Sequence, residues 1–144
     1  MTGPALVLAS ASPRRLALLA QIGVTPARVI PPDIDETPAR GELPRDHVRR
    51  LARAKAAAVE PAGCAVLAAD TVGAAGFRIL PKAATAAEAR RCLALLSGRR
   101  HRVMTAVVLA MPDGRRAERL ATSIVAFARL SAAQVDAYVA GGEW

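Results

Sequence analysis

The sequence predicts an α/β domain built on a mixed sheet. Two observations carry that expectation. Short apolar runs at 5–9, 29–30 and 64–69 alternate with segments of helical periodicity, and then two long runs flank a Pro-Asp-Gly turn as a hairpin would. Alternating strands and helices build a layered sheet, and the closing hairpin adds an antiparallel pair.

Ala5 to Ala9 is an apolar run of strand length. Ser12 followed by Pro13 is a helix start, a capping hydroxyl ahead of a proline whose φ suits the first turn. Leu16, Leu19, Ala20 and Gln21 continue that helix, and Gly23 ends it. Val29-Ile30 is a second short strand closed by Pro31-Pro32, and 33–44 is a polar, proline-containing loop. A helix over 45–59 places Val48, Leu51, Ala52 and Lys55 near one face. A strand over 64–69 brings Asp70 to its carboxyl end, Gly73 to Gly76 make a turn, and 77–80 form a short strand. Thr85 and Glu88 read as a capping box for a helix ending at Ser97-Gly98. Strands over 101–111 and 115–130 flank Pro112-Asp113-Gly114. Ser131 and Gln134 form a second capping box, and the last helix closes near Gly141-Gly142.

The 144 residues suit one domain with a core that needs no staples. Aromatics are 3% of the chain, so Leu, Val, Ile and Ala must fill that core. Cys64 and Cys92 are far apart and read as reduced, small, buried side chains, as expected in a cytoplasmic protein. No run approaches the ~20 apolar residues of a membrane span, and no leader pattern opens the chain. The charge of +8 allows an anionic partner. Few aromatics interleave with the arginines, which counts against stacking on nucleic acid.

Three groups of residues have the chemistry of a phosphate site. Ser10, Ser12, Arg14 and Arg15 gather hydroxyls and guanidinium forks where a strand feeds a helix N-terminus, whose N–H groups and dipole favour an anion. Asp70, with Thr71 after it, places a carboxylate where it can hold a divalent cation or take a proton from water. Glu36 would share the metal, and Lys55 and Lys82 would neutralise a polyphosphate. His47 and His101 stand without a Ser or Cys partner along the chain and are set aside. The local alternatives are an ordinary Ser-Pro helix start, an aspartate capping a turn, and solvated surface lysines.

Six stretches in order, LVLASASPRRLALLAQIGV at 6–24, DIDETP at 33–38, HVRRLARAKA at 47–56, VLAADTV at 66–72, ILPK at 79–82 and LSGRRHRVMTAVVL at 96–109, resemble the Maf family of nucleoside triphosphate pyrophosphatases. The resemblance implies a mixed, twisted sheet with flanking helices, related to the inosine triphosphatases, with a cleft between two lobes. It implies hydrolysis of a nucleoside triphosphate to monophosphate and pyrophosphate, with Asp70 as the proton acceptor. Ser10, Arg14 and Arg15 would grip phosphates and Lys55 and Lys82 face the triphosphate. Glu36, with Asp70, would hold Mg²⁺ or Mn²⁺. Ser-Pro-Arg-Arg with Asp70-Thr71 is similar to the branch acting on dTTP and UTP, which makes Arg14 and Thr71 specificity positions. A homodimer in the cytoplasm is the assembly implied. The family pattern continues past Trp144, so 1–144 reads as a single Maf-like domain short of its C-terminal segment. The competing expectations are a nucleotide-binding or division-regulating relative without turnover, and a nucleic-acid binder with steep salt dependence.

Overall fold

The computed structural model describes residues 3–59 and 62–144. In order the elements are β1 (Leu6–Ala9), α1 (Pro13–Gln21), β2 (Arg28–Val29), α2 (Pro44–Ala58), β3 (Ala65–Ala75), β4 (Arg78–Leu80), α3 (Ala86–Leu96), β5 (Arg100–Ala110), β6 (Arg116–Ala126) and α4 (Ala132–Gly141). Five strands form a sheet in the order β2-β1-β3-β5-β6, and β4 pairs with β3 off that path. The β2, β1 and β3 pairs are parallel and the rest antiparallel, which is the mixed sheet the sequence predicts.

The core lies between α2 and one face of β3 and β5. Val48, Ala52 and Ala56 of α2 meet Val66, Ala68 and Val72 of β3 and Met104, Ala106 and Val108 of β5, and Leu51 of α2 is buried as well. The strand residues are every second one, as the pleat requires. The other sheet face is less covered: Leu67, Val103, Val107 and Leu109 are half-buried, and α1 has no buried residue.

Several sequence expectations hold with small shifts, and some need correction. Ser12 is the N-cap of α1 with Pro13 in the first turn, but its side chain makes no cap hydrogen bond. Gly23 at φ 76° closes that helix. The Ser131–Gln134 capping box is complete. The Thr85 box is half made: Thr85 Oγ1 accepts from the Glu88 N–H, while the Glu88 carboxylate turns to the Ala84 N–H at 2.7 Å. The second hairpin strand ends at Ala126, not 130. Cys64 and Cys92 are free thiols, half-buried rather than buried.

The largest correction concerns β3. It does not stop before Asp70 but runs on through Gly73 to Ala75, because β5 pairs with it without a break from Val66 to Ala74. A continuous partner strand outweighs the turn signal of Gly73 and Gly76. Gly73 sits inside the strand with the Leu80 side chain lying over it, 3.3 Å from where a Cβ would stand. The turn is confined to Gly76 and Phe77, with Gly76 at φ 60°.

Candidate active site

On the edge of β3 away from β5, β1 pairs with Ala65 to Ala68, and β4 pairs with Gly73 to Ala75. Between these two partners, residues 69–72 have no strand beside them on that edge. Asp70 and Thr71 therefore stand in a gap in the sheet, just beyond the carboxyl end of β1. Ligands in α/β sheets gather beyond carboxyl ends, where loops rather than strands adjoin the site. The segment from Ser10 into α1 opens on one side of the gap, and Pro81 and Lys82 follow β4 on the other.

Successive strand residues face opposite ways. Asp70 faces α2 and is 2% exposed. Its Oδ1 accepts a hydrogen bond from Lys55 Nζ at 2.8 Å. Lys55 is itself buried, in the last turn of α2, and the same ammonium lies 3.1 Å from Glu36 Oε1. Lys82, largely in solvent, adds a second cation 3.6 Å from Glu36. Burial works to raise the Glu36 pKa, but the hydrogen bond and charge of Lys55, and then those of Lys82, hold it below the ordinary value. Two carboxylates thus converge on one buried ammonium. A buried charge persists only when paired in this way.

Thr71 faces the α1 side. Its hydroxyl lies 2.9 Å from that of Thr105 on β5 and accepts from Arg15 Nη2 at 3.3 Å. Ser10 is buried, and its Oγ accepts the Ser12 N–H at 3.0 Å. Arg14 is exposed on the first turn of α1. The structure thus assembles Asp70, Lys55, Glu36 and Lys82 as one cluster, and Arg15 with Thr71 as a second on the opposite sheet face. A cavity of about 370 Å³ is lined by Glu36, Thr37, Leu51, Asp70, Thr71 and Lys82 among others, and no residue of the 10–15 segment lines it.

One network has no signature along the chain. Glu42 Oε1 accepts from the Ala39 N–H at 3.1 Å and lies 2.8 Å from His47 Nδ1. Arg50 grips both Glu42 oxygens, at 2.7 and 2.9 Å, and its Nη2 also donates to the Thr37 carbonyl at 3.2 Å. The Arg50 hydrogen bond, against burial and aided by the Ala39 N–H and His47, pulls the Glu42 pKa down to about 2. His47, isolated in sequence, gains its partner from a loop five residues upstream. Thr105 likewise carries no local signal, since its partner Thr71 lies across the β3–β5 ladder. His101 is buried against Phe127, edge to face at 5.3 Å, and stays outside the site.

The Asp70–Glu36 pair is a fair half-site for a hard divalent cation. No third His, Cys, Asp or Glu joins it among the described residues. Mg²⁺ is commonly held by one or two carboxylates, with waters and substrate phosphates completing its shell, so this donor set fits.

The chain thus folds as a mixed α/β sheet opened beside a parallel strand end, with carboxylates and cations lining the opening. A nucleoside triphosphatase of Mycobacterium abscessus, described as a dITP/XTP pyrophosphatase, shares that fold at a TM-score of 0.54 and 23% identity, over 88% of this chain and 76% of that one. A profile for Maf-like proteins matches residues 5–144, and the chain belongs to that family. A relative from Novosphingobium aromaticivorans is 60% identical over 98% of this chain and 71% of its own length. One from Caulobacter vibrioides is 62% identical over 99% and 75%. Both are described as dTTP/UTP pyrophosphatases. No helix among the described residues is long and apolar enough to cross a membrane.

Proposed function

We propose that this chain hydrolyses dTTP and UTP to the monophosphate and pyrophosphate. The observation that carries the reading is the Asp70–Lys55–Glu36 cluster lying in the sheet gap next to Ser10 and Arg15, in a chain about 60% identical to relatives bearing that description.

Water would attack the α-phosphorus in line with the departing pyrophosphate. Asp70 takes the proton from that water: its carboxylate is fixed on one oxygen by Lys55, which leaves Oδ2 for the water. Ser10, Ser12, Arg14 and Arg15 hold phosphate oxygens, with the α1 N-terminus adding N–H groups that the Ser12 side chain does not use. Lys55 and Lys82 neutralise charge that spreads over the phosphoryl oxygens in the transition state. Thr71, tied to Arg15 and Thr105, sets the direction of the Arg15 fork and, with Arg14, contributes to nucleotide selection. A divalent cation, Mg²⁺ or Mn²⁺, would be held by Asp70 and Glu36 and would supply further charge neutralisation to the phosphates.

The test is pyrophosphate release from a panel of nucleoside triphosphates with Mg²⁺ or Mn²⁺, for the parent and for Asp70→Asn. Release from dTTP and UTP that the variant loses by at least ~100-fold supports the assignment, since general-base catalysis typically contributes 10²–10⁴-fold. A folded parent that binds these nucleotides without releasing pyrophosphate overturns the hydrolase reading in favour of nucleotide binding alone.

A further inference from the structure

Glu36 sits on a segment, 30–43, without regular secondary structure, and its own carboxylate is about half exposed. Such a segment has many backbone conformations, and a ligand held by it would lose affinity through the cost of ordering. The chain supplies a brace. Arg50, from the middle of α2, donates to the carbonyl of Thr37, the residue after Glu36, and grips Glu42 with two further bonds. Glu42 in turn takes the Ala39 N–H and lies on His47, which is buried. At the other end of the turn, Asp35 Oδ1 accepts the Thr37 N–H at 2.9 Å. Peptide groups on both sides of Pro38 are therefore tied to the same helix that carries Lys55.

We infer that Glu42, Arg50 and His47 form a positioning cluster that holds Glu36 against Lys55 and Asp70, so that cation and triphosphate meet a preformed pair of carboxylates. The inference deepens the proposed function and rests on it for the identity of the ligand. None of the three residues lines the cavity. They act through the 36–39 backbone, and α2 supplies the fixed frame: Val48, Leu51 and Ala52, beside His47 and Arg50, are fully or nearly fully buried in the core. Arg suits the position because its planar fork can hold a carboxylate with two bonds while a remaining N–H reaches a carbonyl.

The experiment compares the parent, Glu42→Gln, Glu36→Gln and the double variant. Glutamine keeps the size and an acceptor for Ala39 but loses the charge that Arg50 grips. Amide hydrogen exchange of Thr37 and Ala39 in the free protein should quicken about tenfold or more in Glu42→Gln. Mn²⁺ binding, read by electron paramagnetic resonance with a non-hydrolysable α,β-imido dUTP, should weaken by about tenfold. In the Glu36→Gln background the same Glu42 change should weaken Mn²⁺ by less than twofold, because the ligand it positions is gone. Unchanged exchange, or equal weakening with and without Glu36, would overturn the inference. A folding defect alone does not predict that non-additivity. Arg50 is half exposed, so Arg50→Lys provides a second variant if Glu42→Gln does not fold. It should show the same pattern at roughly threefold, and additivity with Glu36→Gln there counts against the cluster. The exchange arm requires no turnover: protection released by Glu42→Gln in a parent that makes no pyrophosphate would sink the proposed activity and leave the brace standing.

Discussion

Replacing Lys55 by methionine keeps most of the side-chain volume in α2 and removes the ammonium that Asp70 and Glu36 share. Glu36 is half exposed and can turn to Lys82 or to water. Asp70 cannot, because its side chain is 3% exposed and its cation partner is Lys55 at 2.8 Å. Breaking a buried pair by removing one partner typically costs 3–5 kcal/mol, since the remaining charge is left desolvated. The cavity beside Asp70 lets some water reach it, which favours the lower end, about 3 kcal/mol. At roughly 2–4 °C per kcal/mol for a chain of this size, the melting temperature should fall by about 10 °C. Urea unfolding of Lys55→Met, Asp70→Asn and the double variant provides the assay. The double variant should recover part of the loss, because a neutral amide is cheaper to bury than an unpaired carboxylate. A Lys55→Met protein within about 1 kcal/mol of the parent, or a double variant less stable than Lys55→Met, would refute the account of the cluster as a buried pair.

Glu42 titrates at about 2 in the fold against an ordinary 4.5, chiefly through Arg50. A lowered folded pKa contributes stability above the ordinary value, and that stability is lost as pH falls from about 4.5 towards 2. Melting temperatures measured across that range should drop less steeply for Glu42→Gln than for the parent, and parallel curves would count against the Arg50 pairing. Leu51 is 2% exposed and touches both the core and the cavity wall. Leu51→Ala should cost about 3 kcal/mol in urea unfolding, within the 2–5 kcal/mol typical of such truncations. A loss under 1 kcal/mol would show that α2 closes over the space.

What the sequence made legible depended on how local each cause is. The helix starts at Ser12-Pro13 and Ser131 are readable because their signals are local: a proline in the first turn after Ser12, and at Ser131 a hydroxyl that caps an N–H three residues on. The buried stripe of α2, with Lys55 in it, followed from period alone. Asp70 is a candidate in the sequence for a reason the fold revises: the sequence places it at the end of β3, yet it lies in mid-strand and borders the cavity where β1 ends beside it. No window around Asp70 contains that fact, since it depends on β1 and β4 each covering part of one edge, more than 50 residues apart from β1 and only a few from β4. The Glu42 network was invisible for a different reason. His47, Arg50 and Glu42 each look like an ordinary surface residue, and only the return of the 33–43 loop onto α2 makes them one unit. Residues that contact a ligand carry their chemistry in their type, whereas residues that hold those contacts in place carry it in geometry. For this chain the second kind is the more informative product of the structure, because it predicts coupling between Glu42 and Glu36 that neither residue type implies.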